Sequence, residues 1–282
     1  MTAILTGDQA GLILAQPGSD GAFSAREAKL ARAMGERRPL VMLAFAPKAA
    51  GTFFRSAVIR AVDGQLVRIV HAQGSRDAQP YLPLFVKYYG GEITDKILVA
   101  HVHMQALAAN RHFLDAFGIK SIIMLRNIAD MMASYWDMME GGEDAANLGL
   151  NFDVPANFSG WPAHAKQDYL ATMLIPWYAS YFASWAAYQA HAPGSVAVLR
   201  FDDLLTDPVG LLQNTLQQVG LPAGEKRCRD AFAAVWNMRA GLRFNQGRAG
   251  RGGEYFTAAH RERIARTLSY YDVPKNWLPD LV

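Results

Sequence analysis

From Leu40 onward the chain alternates short unbroken apolar runs with longer stretches whose apolar positions recur every three to four residues. Leu40 to Ala46 is the first run, Pro47 to Gly51 makes a tight turn, and Thr52 opens a segment in which Phe53, Phe54, Ala57, Val58 and Ala61 share one helical face. Leu66 to His71, Lys96 to His101, Lys120 to Leu125 and Val196 to Phe201 repeat the strand signature. Gln105 to Phe117, stopped by Gly118, and Ile128 to Met139 repeat the helical one, and Asp207-Pro208 starts another helix that ends near Gly220. Buried strands alternating with helices of this length predict an α/β fold: a single domain with a central parallel sheet flanked by helices and joined by right-handed crossovers.

The rest of the chain fits around that frame. Residues 1–38 read as an N-terminal extension with a helix from Ser24 to about Met34, and Pro80 to Tyr89 reads as a helix with an aromatic flank. Gly141 to Gln167 is too long for a routine crossover and reads as an insertion, a lid or acceptor loop, or else a disordered surface segment. Tyr169 to Ala190 predicts a long aromatic helix, interrupted or kinked near Pro176, whose Trp177, Tyr181, Trp185 and Tyr188 read as core. An Arg- and Gly-rich loop from Arg243 to Glu254 precedes a closing helix from Ala258 to Tyr270.

Composition narrows the class. At 282 residues and 51% hydrophobic content the chain can bury a sizeable core without staples. The single Cys228 cannot form an intrachain disulfide and fits no zinc spacing, which suits a reducing compartment. The N-terminus lacks the pattern of a secretory signal, and no apolar run approaches the roughly 20 residues a membrane span needs. These features predict a soluble cytoplasmic protein. A net charge of +3 is too small to imply a nucleic-acid partner, although clustered arginines suit a small polyanion.

Ligands of parallel sheets gather at the carboxyl ends of the strands, and three of those ends carry Lys48, His101 and Arg126. At the first of them a helix N-terminus, a glycine that permits close approach and a lysine charge together suit a phosphate. The same residues also fit an ordinary strand-to-helix turn with a solvated lysine.

Four segments in register bear on the choice. Pro47-Lys48-Ala49-Ala50-Gly51-Thr52-Phe53 is similar to Pro-Lys-Ser-Gly-Thr-Thr-Trp. Arg126 ends a strand with Ser134 eight positions on, and Leu199-Arg200-Phe201-Asp202-Asp203-Leu204 is similar to Leu-Arg-Tyr-Glu-Asp-Leu. Asn245-Gln246-Gly247-Arg248-Ala249-Gly250, with Phe256-Thr257 beyond it, stands where Arg-Lys-Gly-x-x-Gly and Phe-Thr are expected. In these segments the chain resembles the sulfotransferases that use 3′-phosphoadenylyl sulfate (PAPS) and release adenosine 3′,5′-bisphosphate (PAP). The likeness extends from about Leu40 to Thr257 and frames residues 39–282 as one such domain with its insertion at about 141–167.

That resemblance implies a P-loop-like strand–turn–helix in which Lys48, Ala49, Ala50, Gly51 and Thr52 hold the 5′-phosphosulfate and Phe53 stacks on adenine. It implies that Arg126 and Ser134 hold the 3′-phosphate, with Phe201, Gln246, Gly247 and Arg248 completing the nucleotide site. It further implies in-line transfer of a sulfuryl group to a hydroxyl or amine of a small molecule or glycan, without a metal. Lys48 would stabilise the leaving oxygen, and a histidine in the place of Lys-Thr-His would act as base. Val99-Ala100-His101 occupies that place, and His103 is its rival. Phe53 replaces a tryptophan, Phe201 lacks a tyrosine hydroxyl, and Asn245-Gln246 replace an Arg-Lys pair, leaving Arg248 or Arg251 to supply the late-loop charge. Asp202 and Asp203 read as capping residues. Two other classes share the frame. A P-loop-type nucleotide kinase or NTPase is disfavoured because Gly-x-x-x-x-Gly-Lys-Ser/Thr is absent. A non-catalytic nucleotide-binding protein would keep the fold and lose the transfer.

Overall fold

The computed structural model describes residues 39–71, 75–81, 96–140, 153–238 and 248–282. Among them five strands form one parallel sheet: β1 (Leu40–Leu43), β2 (Gln65–Val67), β3 (Leu98–His101), β4 (Lys120–Leu125) and β5 (Val196–Arg200), in the order β2-β3-β1-β4-β5. The apolar runs become strands because both faces of the sheet are covered, so β1 and β3 are buried at every position. In the register Leu43 lies opposite His101 on one side and Ile122 on the other, so β1 and β3 end level and β4 runs three residues further, to Leu125.

The helices are α1 (Gly51–Val62), α2 (Ala108–Phe117), α3 (Ile128–Glu140), α4 (Ala163–His191), α5 (Phe201–Thr206), α6 (Pro208–Gln218), α7 (Glu225–Asn237), α8 (Gly252–Tyr255), α9 (Ala258–Leu268) and α10 (Leu278–Leu281). The Asp207 side chain caps α6 by accepting from the Gly210 amide at 2.9 Å, with Pro208 at its first position. Gly118 closes α2 in the left-handed conformation, φ 62°.

Three expectations change. The strand read over Leu66 to His71 shortens to β2, and Val70 instead bridges Pro80 in antiparallel sense. The helix read from Tyr169 begins at Ala163, inside the stretch taken for a loop, and runs unbroken through Pro176. A proline at 176 removes an amide from the ladder, and close to it the Met173 carbonyl accepts from Arg76 Nη1 at 2.9 Å. The N-terminal extension, most of the helix read from Pro80, and residues 141–152 of the insertion lie outside the described residues. No helix among the described residues is long and apolar enough to cross a membrane.

Candidate active site

The turn after β1 is built against its own backbone preferences. Lys48 and Ala50 both sit at positive φ, 66° and 61°, a conformation that costs a non-glycine residue about 1–2 kcal/mol. The result is a sharp bend that delivers α1 end-on, with no side-chain cap and no acidic residue in its first turn. The start of α1 thus keeps its positive dipole end uncompensated and its first amides open to an anion.

Gly51 is the residue that permits this packing. A Cβ there would lie 2.4 Å from His101 Nε2 and 3.1 Å from Phe45 Cδ2. His101 ends β3, is buried, and packs edge-on to both Phe45 and His103. Burial, then the neighbouring His103 and Arg55, hold its imidazole well below the ordinary histidine range.

His103 lies two residues further, half-buried, where the strand pairing is ending. The Val102 amide still donates to the Leu43 carbonyl at 3.0 Å, and His103 Nδ1 then meets the Phe45 carbonyl at 2.7 Å. A carbonyl only accepts, so Nδ1 carries the proton and Nε2 keeps its lone pair. Burial lowers the pKa of this ring; the bond to Phe45 works the other way, and the Lys48 charge lowers it further. The ring is therefore neutral, with a defined tautomer, beside an ammonium group.

Lys48 reaches toward α3. Its Nζ lies 3.7 Å from Met138 Sδ and 5.8 Å from the centroid of the Tyr135 ring. Its carbonyl accepts from Arg126 Nη1 at 2.6 Å, so the first residue after β4 is tied directly to the turn after β1. The Arg126 guanidinium stacks 4.0 Å over the Phe201 ring, and its buried Nε has no hydrogen-bond partner. Burial lowers the pKa of Arg126 and the nearby Asp130 counters it. A cavity of about 150 Å³ opens beside Arg126, lined also by Phe201, Asp130 and Gly250. That volume suits a phosphate-sized group and is far below the several hundred Å³ of a whole-nucleotide pocket.

Other expected residues are placed as follows. Ala49 and Thr52 lie in the turn and at the start of α1, and Ser134 is buried on α3. Phe53 is 1% exposed, and its ring is met edge-on by Phe232 at 5.6 Å and by Trp236 at 6.2 Å, both from α7. Arg248 pairs with Glu254 at the surface, and Arg251 pairs with Asp137 at 2.7 Å. Asp202 and Asp203 stand in the first turn of α5, where their charge complements the helix dipole. Gln246 and Gly247 lie outside the described residues.

Sequence reasoning passed over the parts played by four residues. Tyr178 and Tyr181, on an apolar helix face that reads as core, donate their hydroxyls to the carbonyls of Pro47, at 2.9 Å, and Ala44. Asp130 accepts from late-loop amides 120 and 122 positions away, and only its place four residues before Ser134, on one helix stripe, hints at a role. Trp236, 48% exposed at the end of α7, belongs to a helix that was not singled out.

The geometry thus joins a lysine, an arginine, a neutral histidine and an open helix start around one turn of a parallel sheet. The sulfotransferase domain family matches residues 92–240, more than half of the chain, and the chain belongs to that family. It is a PAPS-dependent sulfotransferase by membership, and the turn that carries Lys48 lies outside the matched residues. A mouse sulfotransferase solved with PAP is similar, with a TM-score of 0.62 at 13% identity over 88% of this chain and 89% of that one. Retinol dehydratase, solved with androsterone and the inactive cofactor PAP, gives 0.50 at 17% identity over 99% and 96%. At these identities the likeness establishes the fold. No curated protein sequence matches the chain.

Proposed function

We propose that this site moves a sulfuryl group from PAPS to a hydroxyl or amine of a small-molecule or glycan acceptor, with His103 as the base and Lys48 stabilising the leaving oxygen. The donor supplies an activated sulfuryl group. The start of α1 and the Lys48 ammonium balance its 5′ charge, and Arg126 with Ser134 receives the 3′-phosphate. As the bond to the acceptor forms, His103 Nε2 takes the acceptor proton while negative charge grows on the bridging oxygen next to Lys48. The observation that carries this reading is the meeting of three strand ends: the 2.6 Å bond from Arg126 to Lys48, with the tautomer-fixed His103 beside that lysine.

The motif register favours His101 as base, whereas exposure and hydrogen bonding favour His103. His101 is 6% exposed with its ring against Gly51, and its main role is to shape the turn. Trp236 extends the adenine-binding surface, because Phe53 has little of its ring uncovered. The buried Cys228 suits a reducing compartment, and we place the protein in the cytoplasm.

A labelled-sulfate transfer assay tests the assignment. Lys48→Ala and His103→Ala are expected to lower kcat by about 10²–10⁴-fold with little change in nucleotide affinity. Full activity in His103→Ala together with lost activity in a folded His101→Ala would return the role to His101. Calorimetry with PAP against ADP and AMP tests the nucleotide: a clear preference for the 3′-phosphate is expected, and its absence would overturn the reading.

A further inference from the structure

Asp130 stands in the first turn of α3 and is only 2% exposed. A carboxylate there is already favoured by the helix dipole, yet both of its oxygens are used by another segment. Oδ2 accepts the Gly250 amide at 2.8 Å, and Oδ1 accepts the Gly252 amide at 2.6 Å. Between those two residues Arg251 pairs with Asp137 at 2.7 Å, its side chain 3% exposed. A Cβ on Gly252 would come within 2.4 Å of Ala129 Cβ and 2.6 Å of the Ala129 carbonyl carbon, a backbone contact that cannot yield.

Asp130, Ser134 and Asp137 follow one another at i, i+4 and i+7, so they form a single stripe along α3. Residues 250–252 are hooked to both ends of that stripe, with Ser134 between the hooks. The cavity beside Arg126 is lined by Asp130 and Gly250 as well, so the same carboxylate borders the place where the arginine faces open space. Each of its two oxygens accepts a backbone N–H group, which offsets part of the repulsion an unengaged carboxylate would exert on an anion.

We propose that Asp130 is a positioning residue for the 3′-phosphate: it fastens the late loop across α3 over Ser134 and so sets the enzyme's preference for a 3′-phosphorylated nucleotide. This rests on the function proposed above. Asp130 need not touch the nucleotide; it acts through Gly250, Gly252 and Arg126.

The test is a pair of calorimetric titrations of the full chain, with PAP and with AMP, for wild type and Asp130→Asn. An asparagine has one acceptor oxygen and turns an NH₂ toward the second amide, so one hook is lost. The expected result is a PAP affinity weakened about 10–100-fold, the range of one charge-assisted bond, with AMP affinity unchanged. In turnover, KM for PAPS should rise with kcat nearly constant. Parallel loss for both nucleotides, or no loss for PAP, overturns the proposal. A wild type with no preference for PAP over AMP would instead overturn the nucleotide assignment itself. Should Asp130→Asn fail to fold, Asp137→Asn, which weakens the other hook and keeps the Arg251 charge, decides by the same titrations: selective loss supports the clamp, and parallel loss or none refutes it.

Discussion

At the scale of single residues, the site depends on where the turn has side chains and where it has none. Ala50 occupies a left-handed position that glycine would fill without strain, while Gly51, next to it, occupies one that leaves no room for a methyl group. The imidazole of His101 explains the arrangement, because its Nε2 fills the space a Cβ at 51 would need. Gly51→Ala is expected to destabilise the protein by about 1–3 kcal/mol, the usual range for overpacking. Adding His101→Ala should recover part of that loss, since removing the ring vacates the volume, and a double-mutant cycle by denaturant unfolding measures the coupling. Strictly additive losses would mean that the two residues do not compete for the same space. The sequence made Gly51 conspicuous as a site of close backbone approach, but it could not name the neighbour. That neighbour is 50 positions away and reads as a candidate base on motif register alone.

At the scale of elements, most of the scaffold was legible and its fine supports were not. Strands covered on both faces read as near-continuous apolar runs, and β1, β3 and β4 are recognisable for that reason. The aromatic face of α4 was equally visible, but burial was the whole of its apparent meaning. A tyrosine on an apolar face gives no sign of where its hydroxyl goes, and here Tyr178 meets the carbonyl of Pro47. Tyr178→Phe is expected to cost about 1–3 kcal/mol by leaving that carbonyl unsatisfied, and to weaken nucleotide binding as well. Tyr188, whose hydroxyl donates to Asp115 Oδ1 at 2.8 Å, provides the control: Tyr188→Phe should cost stability and leave binding unchanged. Equal binding in both variants would show that the support of the turn is dispensable. The late loop was recognisable by composition, yet its Arg251 is committed to Asp137 and its Arg248 to Glu254. Pairing of that kind depends on partners supplied by tertiary structure, which spacing does not reveal.

At the scale of the whole molecule, pH links the site to stability. His101 and His103 both titrate below their ordinary value of about 6.5, chiefly because burial disfavours the charged ring. Each therefore binds protons less readily when folded than when unfolded. Their contribution to stability is fully present above about pH 6.5 and is lost as the pH falls from there toward the folded-state values. Denaturant titrations between pH 5 and 8 should show stability falling on the acid side, with a shallower fall in His101→Asn. Catalysis should follow the same sign: with neutral His103 as the proposed base, the acid limb of kcat/KM is expected below pH 6.5. An acid limb above that value would contradict the burial seen at this ring.

The tyrosine that steadies the turn lies 131 positions beyond it, on α4. The turn's geometry is consequently set from a distant part of the chain: a change along α4 would loosen or stiffen the bend that carries Lys48.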